Sequence, residues 1–484
     1  MNSSGVLVMT NTLDKCLQNN ITKIKSDLGN STDLIVRFLN VNEKISVGLV
    51  YFNGLSDKVM IEHSIIDSLL KLKEQDASDL HLEYLKEKIL ANPEISNAEN
   101  FETVYQALLS GDTAIFIEGH EEASLASTRK IEERSVAEPT TQVVIRGPKD
   151  GFVENITVNI ALIRRRIKDQ NLWLETRDIG KVTKTSVSML FLHGTVDEEI
   201  LNEVRMRLNQ IDTNAILESG YIEEFIQDST FSPFPTVYNT ERPDIIAAGI
   251  LEGRIAILID GTPFVLLVPA LFNHFIQSAE DYYNRSDFGL IRILRLVCLG
   301  ISLLAPSIYI ALTTFHQETI PTVLLISLAA QREAVPFPAF FEAFFMEIIF
   351  EILREAGLRM PRMVGQTMSI VGALVIGQAA VEAGFISNAM IIVVAITAIA
   401  SFVAPGYSIG ITMRLLRFPM MFLAASFGLY GIAVGIMFLI LHLSNLKSFT
   451  VPYMYNIGPF KLRRQRDTII RLPQKMVNQK ESKT

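Results

Sequence analysis

The sequence contains few of the residues that bind metals or build disulfide frameworks. Its two cysteines, Cys16 and Cys298, lie far apart along the 484 residues, and one such pair forms neither a disulfide framework nor a zinc site. The seven histidines show no metal-ligand spacing. The chain also lacks a phosphate-binding G-x-x-x-x-G-K-[ST] loop and a basic stripe with interleaved aromatics. We therefore expect no cofactor, no metal and no nucleic-acid partner.

Signals of an active site are equally sparse. Residues Gly406–Gly410 match the pattern G-x-S-x-G. A nucleophile elbow, however, needs a strand before the serine and a helix after it. This motif lies between two predicted membrane helices instead. We expect no enzymatic activity.

The amino-terminal segment, MNSSGVLVMTNTLDK, has neither a basic flank nor a long apolar core. These features predict that it is not a secretory signal. The first half of the chain should then remain in the cytoplasm, with the first membrane span acting as an internal signal.

Hydrophobic residues make up 49% of the chain and give a mean hydropathy of +0.29, but they are concentrated in one half. The chain is polar and mixed up to about residue 287, apolar runs dominate 288–443, and 444–484 is polar and basic again. We predict an α-helical, multi-span membrane domain of about four to six helices at 288–443. A basic cytoplasmic tail follows at 444–484.

The polar half contains an internal repeat. Segment 109–119 resembles 251–261, because each reads as a helix end, a glycine, an apolar strand and an acidic-Gly turn. Segment 50–57 resembles 190–197 in the same way. Both pairs are separated by about 140 residues, which predicts an internal duplication.

Each copy mixes strands and helices, so we predict a duplicated α/β or α+β cytoplasmic domain. Its predicted parts are an N-terminal tail at 1–29, lobe 1 at 30–140 and lobe 2 at 150–275. Asn155–Lys168 reads as a helix that ends in Arg164, Arg165 and Arg166. These arginines form either a solvated helix end or an anion or lipid site.

Four apolar segments are long enough to cross a bilayer, which takes about 20 residues. They are Leu290–Leu312, Val364–Ala383, Ile386–Ala404 and Phe418–Leu443. Two shorter apolar pieces, Ile320–Ala330 and Phe337–Leu353, are separated by prolines. They predict broken or re-entrant helices, which persist at membrane depth only when they are buried in protein or line water.

The segment at 337–353 carries charge inside the apolar half, and a charge near the bilayer centre is costly unless it faces protein or water. The candidate pathway or gating residues are Glu342, Glu347, Glu351, Arg354, Glu355, Gln378 and Glu382. For Glu347, Glu351 and Glu355, which share a helix face, two interpretations stay open: a cation pathway or an amphipathic surface helix with internal salt bridges. Gln378 and Glu382 belong either to the headgroup layer or to an internal polar contact.

Basic residues near the spans bear on the topology. Arg292 and Arg295, at the entry of the first span, are expected to snorkel and to mark a cytoplasmic start. Arg414 and Arg417 precede what reads as a single span before the basic tail. Arg414 with Arg417 and the basic tail cannot both be cytoplasmic if one span separates them. One of these two basic groups must therefore face outward or lie inside the protein.

Small residues recur at spacings of three and four in two predicted spans, a pattern that lets membrane helices approach closely. These helix-packing candidates are Ser369, Ala373, Gly377, Ala380 and Gly384, and then Ala424, Gly428, Gly431 and Gly435. The pattern predicts a multi-helix bundle or a homo-oligomer rather than isolated anchors.

A series of longer motifs runs through most of the chain. They are EPTTQVVIRGP at Glu138–Pro148, NIALIRRR at Asn159–Arg166, SPFP at Ser232–Pro235, NTERPD at Asn239–Asp244, GRIAILIDGTPFVLLVP at Gly253–Pro269, EDYYNR at Glu280–Arg285, REAVPFP at Arg332–Pro338, REAGLRMP at Arg354–Pro361, IGQAAVEAG at Ile376–Gly384 and RLP at Arg471–Pro473. With these motifs the sequence resembles the A subunits of GerA-type spore germinant receptors, of the GerABKA family.

The resemblance implies a subunit of a receptor in the spore inner membrane, with a transporter-like B subunit and a lipoprotein C subunit as partners. It implies that the chain senses or transmits a nutrient signal that starts germination, as an oligomeric ligand-gated cation channel. The alternative is a non-conducting scaffold that couples a nutrient-binding partner to downstream release. A secondary transporter is a weaker interpretation, because the repeat lies in the polar half and not in the membrane half.

Overall fold

The computed structural model divides the chain into two compact units. The described residues are 12–41, 45–70, 94–130, 139, 142–144, 146–283, 288–360, 377–403, 405–455, 457 and 458. The first unit, which we call the sheet unit, comprises Met1–Gln227 and Val237–Pro269. The second, the helical unit, comprises Asp228–Thr236 and Ala270–Thr484.

The first lobe of the sheet unit is a five-stranded antiparallel sheet with the order β1-β2-β4-β5-β3. Its strands are β1 (Leu34–Val41), β2 (Ile45–Phe52), β3 (Ile95–Ala98), β4 (Thr113–Ile117) and β5 (Ala123–Ala126). Its helices are α1 (Leu17–Asp27), α2 (Lys58–Met60), a π-helical stretch (Ile61–Ile66), α3 (Asp67–Leu70) and α4 (Phe101–Ser110).

Both faces of this sheet are covered. Successive side chains of a strand point to opposite faces, so Val50 and Phe52 of β2 join the core beneath α1 and α4. Leu49 and Tyr51 join a second core beneath the helical segment that contains Ile61 and its neighbours. Burial on both faces explains why β2 reads as a continuous apolar run rather than an alternating one.

Helix α1 extends the first lobe beyond the predicted boundary at residue 30. Leu17, Ile21 and Ile24 are buried, and the first two contact the backbone of β2 at Gly48. Their spacing of four and three residues places them on one helix face. Polar residues between them hide this stripe from a search for apolar runs, so the stretch predicted as a tail at 1–29 contains a core helix.

The second lobe is also a five-stranded antiparallel sheet, with the order β6-β7-β9-β10-β8. Its strands are β6 (Leu172–Ile179), β7 (Thr185–Leu192), β8 (Tyr238–Thr240), β9 (Ile255–Ile259) and β10 (Val265–Val268). Its helices are α5 (Ile156–Arg166), α6 (Glu198–Gln210), α7 (Ser219–Ile226) and α8 (Pro243–Leu251).

The two lobes have the same strand order. The hairpins β1–β2 and β6–β7 each pair over eight residue pairs, and a helix precedes β1, β4, β6 and β9. We interpret this shared topology as the product of the duplication that the sequence repeat predicts. The prediction of a sheet-containing α/β first half and a helical second half is confirmed.

A buried arginine joins the two lobes. The guanidinium of Arg164, at the end of α5, donates to both carboxylate oxygens of Asp33 at 2.5 and 2.9 Å and to the carbonyl oxygen of Leu172 at 3.1 Å. It also lies over the ring of Phe52, 4.4 Å from the centroid. A solvated helix end is therefore the wrong interpretation for Arg164, because the carboxylate across the lobe interface offers a paired, buried position.

The helical unit contains most of the apolar sequence. Its elements are α9 (Glu280–Tyr283), α10 (Phe288–Thr314), α11 (Thr322–Arg332), α12 (Ala339–Arg359), α13 (Gly377–Glu382), α14 (Asn388–Phe402), α15 (Tyr407–Asn445), β11 (Lys447–Ser448) and β12 (Val451–Pro452), with 3-10 turns at Phe272–Phe275 and Gln317–Thr319. At the start of α10, Arg292 and Arg295 both pair with the buried carboxylate of Asp281, at 3.2 and 3.0 Å. Both arginines are buried in the protein beside this carboxylate, which contradicts the expectation that they snorkel.

Two helices among the described residues are long and apolar enough to cross a membrane, namely Leu290–Thr314 and Tyr407–Asn445. The predicted span Ile386–Ala404 corresponds to the shorter helix α14, and the predicted half-span Ile320–Ala330 corresponds to α11. Most of the predicted span Val364–Ala383 lies outside the described residues. The number of crossings therefore stays a prediction.

Helix α15 is a helical hairpin rather than one straight rod. Gly428 has φ 61° and ψ −143°, which interrupts the helix. Gly435 lies against the Met420 side chain, although a straight helix would separate these residues by about 22 Å. We call Tyr407–Phe427 the first arm and Leu429–Asn445 the second arm. A positive φ favours glycine at the turn.

Candidate functional site

The glutamates of α12 range from buried to exposed. Glu342 and Glu347 are each only 1% exposed, whereas Glu355 is exposed and pairs with Arg359 of its own helix at 2.6 Å. Glu351 lies between these extremes. The glutamates therefore meet three environments, and only the last turn of the helix resembles a solvated amphipathic helix.

Glu347 forms a buried ion pair with Arg417 of the first arm of α15, and both side chains are 1% exposed. The Arg417 Nε also donates to the carbonyl oxygen of Ser302 in α10, at 2.7 Å. One guanidinium thus ties α12, α15 and α10 together. A buried charge requires such a partner because removing it from water costs roughly several kcal/mol in a protein.

Glu351 repeats this arrangement one turn further along α12. Its Oε2 accepts from the Arg414 Nη1 at 2.8 Å, and Arg414 also donates to the carbonyl oxygen of Gly410 at 3.3 Å. Arg354 points elsewhere, since its guanidinium lies over the ring of Phe402 in α14, 5.5 Å from the centroid. Glu347–Arg417 and Glu351–Arg414 are therefore two successive ion pairs between α12 and the first arm.

Glu342 connects α12 to the start of α14. Its Oε2 accepts from the backbone N–H and the hydroxyl of Ser387, at 3.0 and 2.9 Å, and its Oε1 lies 3.4 Å from the Arg332 Nε. Ser387 is the N-cap of α14, where a negative charge is favoured by the unpaired N–H groups and the helix dipole. The hydroxyl of Tyr309 lies 3.4 Å from that of Ser387.

These contacts form a charge-balanced cluster. Each carboxylate meets one guanidinium: Glu342 with Arg332, Glu347 with Arg417, and Glu351 with Arg414. Five buried atoms of the cluster have no hydrogen-bond partner among the described residues, namely Oε1 of each glutamate, Nε of Arg332 and Nη2 of Arg417. In this conformation the glutamates are neutralised by neighbouring helices, so a cation pathway along them stays a prediction.

The remaining candidates are less connected. Gln378 and Glu382 are exposed and hydrogen-bonded to each other at 2.9 Å within α13, which leaves both earlier interpretations open. Gly377 is buried, Ala380 is half-buried, and Gly384 lies near the Ala334 carbonyl oxygen. Ser369 and Ala373 lie outside the described residues.

The second small-residue stripe has a definite role in packing. Ala424, Gly428, Gly431 and Gly435 are buried inside the α15 hairpin. A Cβ on Gly431 would lie 2.2 Å from the Leu423 carbonyl oxygen, and one on Gly435 would lie 2.5 Å from the Met420 sulfur. These glycines let the two arms approach each other within one chain.

The sequence reasoning missed the partners of the glutamates. From the sequence, either Arg414 and Arg417 or the basic tail must face outward or lie inside the protein, but the sequence does not pair these arginines with α12. The available signal was their position inside an apolar helix, where an arginine requires a counter-charge. Ser302 and Ser387 gave no signal, because serine is common at helix caps and in membrane helices.

Comparison with known proteins places this chain among bacterial spore proteins. A model of the Bacillus/Clostridium GerA spore germination protein matches residues 22–483. Spore germination protein KA of Bacillus subtilis (strain 168) is 48% identical over 461 residues, covering 94% of this chain and 84% of that protein. The uncharacterized membrane protein YfkQ of the same strain is 43% identical over 444 residues, covering 91% and 86%.

One solved structure is similar to about half of this chain. The crystal structure of the N-terminal domain of the A subunit of the Bacillus megaterium spore germinant receptor GerK3 is 39% identical, with a TM-score of 0.44, and covers 54% of this chain and 97% of that chain. The family match over nearly the whole length and the extent of the identity leave one conclusion. The chain belongs to the GerA family of spore germination proteins.

Proposed function

We propose that this chain is the A subunit of a nutrient germinant receptor in the spore inner membrane, with the sheet unit in the cytoplasm. It works with a transporter-like B subunit and a lipoprotein C subunit, and it has no enzymatic activity. Its membership of the GerA family supports this proposal, as does the name of its relative, spore germination protein KA. Two helices of membrane-spanning length and apolarity agree with an integral membrane subunit.

The paired glutamates of α12 carry the mechanistic part of the proposal. Glu347 and Glu351 are held by Arg417 and Arg414, so the acidic face is shielded in the resting state. The nutrient signal separates α12 from the first arm of α15 and exposes the carboxylates to water. In an oligomer these carboxylates then attract cations and repel anions, which gives a ligand-gated cation channel.

The scaffold remains the second candidate because one observation favours it. The cluster is charge-balanced and most of its groups are buried, which equally suits a rigid, non-conducting helical unit that relays a partner's movement. A secondary transporter has less support, because the duplicated topology lies in the sheet unit and not in the membrane helices.

Conductance of the purified chain in lipid vesicles tests the proposal, with and without the B and C subunits. A mixture of L-alanine, glucose and inosine serves as the trigger. The channel predicts a cation current that appears when the trigger and the partner subunits are both present. Absence of current under all conditions, together with loss of germination when the gene is deleted, contradicts the channel and supports the scaffold.

A further inference from the structure

The short segment 228–236 belongs to the helical unit although the chain on both sides of it belongs to the sheet unit. The sheet unit ends at Gln227 and resumes at Val237. The segment contains the SPFP motif at Ser232–Pro235, to which the proposed function assigns no role. We call residues 228–236 the strap.

The strap contacts both arms of the α15 hairpin. The hydroxyl of Thr412, in the first arm, donates to the Pro233 carbonyl oxygen. The hydroxyl of Ser232 lies 2.9 Å from the Nε2 of His442, in the second arm, and the Phe234 ring packs near the same imidazole at 5.9 Å between centroids. Three consecutive residues therefore engage both arms near the ends that lie away from the Gly428 turn.

Each end of the strap is fixed to the chain that follows the hairpin. The Phe449 N–H donates to the Asp228 carboxylate at 2.9 Å, and the Ser448 hydroxyl donates to the Thr236 carbonyl oxygen at 2.7 Å. The Ser448 hydroxyl also accepts from the N–H of Ala270 at 2.9 Å, where the chain enters the helical unit for the second time. Strap, hairpin and entry point are thus bonded to one another.

The strap also lies close to the charged cluster along the first arm. Thr412 is two residues before Arg414 and five before Arg417, on one helix. Backbone hydrogen bonds join each turn of a helix to the next. Thr412 and the two arginines that hold Glu351 and Glu347 therefore belong to one helical segment.

We infer that the strap is the element that couples the sheet unit to the ion pairs between α12 and α15. This inference rests on the proposed function, because it names the route by which the signal crosses between the two units. A purely structural strap would stabilise the hairpin without affecting α12. The two roles differ in what happens to α12 when the strap contacts are removed.

The functional test uses spores that carry the full chain with its natural partner subunits. Thr412→Val removes the hydroxyl that reaches Pro233, and Ser232→Ala removes the one that reaches His442. Thr397→Val is the matched control, because the Thr397 hydroxyl donates to the Val393 carbonyl oxygen of its own helix. With the L-alanine, glucose and inosine mixture, the double variant should raise the half-maximal concentration for cation release about tenfold, within the range of coupling energies between sites. Protein level and the Thr397→Val response should match wild type.

Hydrogen exchange of the full chain in lipid nanodiscs gives a readout that does not require germination. The double variant should exchange faster than Thr397→Val at the amides of α12, including the turns around Glu347 and Glu351. Equal exchange in α12 for the two variants overturns the inference, whatever the spore assay gives. A strain that germinates normally without the gene contradicts the proposed function instead, and the exchange result then still decides the role of the strap.

Discussion

The sheet unit and the helical unit each bury an arginine-carboxylate pair, and the two pairs are satisfied to different degrees. In the sheet unit, Arg164 meets both oxygens of Asp33, a backbone carbonyl and an aromatic ring. In the helical unit, Arg417 and Glu347 each retain a buried atom without a partner among the described residues. A saturated pair, in which every polar atom has a partner, stabilises one arrangement. An incompletely hydrogen-bonded pair loses less free energy when its members separate. The first suits a permanent joint and the second suits a contact that opens.

The largest effect is expected at the saturated pair. Asp33→Ala leaves the Arg164 charge buried and unpaired, which should lower the free energy of unfolding by about 3–5 kcal/mol. Urea unfolding of the full chain can be followed by the fluorescence of Trp173, the only tryptophan, which contacts Gly29 across the lobe interface. Lys181→Ala removes an exposed ion pair to Asp212 and serves as the control, with a change under about 1 kcal/mol. Equal losses of unfolding free energy in the two variants would show that the buried Arg164–Asp33 pair stabilises the fold no more than an exposed ion pair.

The next effect concerns the Gly428 turn between the two arms of α15. Gly428→Ala should reduce the amount of folded chain in the membrane, since the disfavoured backbone conformation alone costs about 1–3 kcal/mol. The added Cβ would also lie 2.7 Å from the His316 ring. Gly300→Ala is the matched control in a membrane helix, because a Cβ there meets nothing within 4 Å. Immunoblots of membrane fractions measure the difference, and equal levels of both variants would argue against the hairpin.

The third effect concerns the Glu347–Arg417 pair of the helical unit. Glu347→Gln keeps the shape of the side chain but leaves Arg417 without its counter-charge, so the packing of α12 against the first arm is destabilised. We expect less folded protein than in wild type, and cation release that begins without nutrient in the protein that remains. The double variant Glu347→Gln with Arg417→Gln should return toward wild type, because no unpaired charge remains. Glu355→Gln, on the exposed turn, should behave as wild type. Release kinetics from spores check all three, and unchanged release in Glu347→Gln would remove the gating role.

The smallest effect is expected at Glu223, a carboxylate of the sheet unit whose hydrogen bond comes from Asn239 rather than from an arginine. Burial raises the pKa of Glu223, against the hydrogen bond from Asn239, which lowers it. The folded state therefore holds this proton more tightly than the unfolded state. The stability that the protonated group contributes is present at low pH and is lost as pH rises through the folded pKa. Glu223→Gln should raise the unfolding free energy at pH 7 by about 0.5 kcal/mol. The gain should vanish at pH 3, and the exposed Glu224→Gln should show none.

Prediction from sequence worked for the coarse architecture, where a local pattern carried the information. The repeated strand-Gly segments indicated two similar lobes. Charges inside an apolar run drew attention to Glu342, Glu347 and Glu351, whose role in a pathway or gate stays a prediction. It failed where the information was non-local. Arg417 and Glu347 lie 70 positions apart in the chain, and the chain reversal within α15 depends on the positive φ of Gly428. No local sequence pattern reveals either feature. Helix α1 was not predicted, because three buried apolar residues among polar ones give a weak sequence signal.

The reversal at Gly428 also constrains how membrane crossings are counted. Thr412 in the first arm and His442 in the second arm both contact the same three residues of the strap, so the hairpin returns to the level at which it began. However deep its turn reaches, α15 makes no net change of side. The chain therefore leaves the hairpin at Asn445 on the same side as Tyr407, and the parity of the earlier crossings alone decides which side that is.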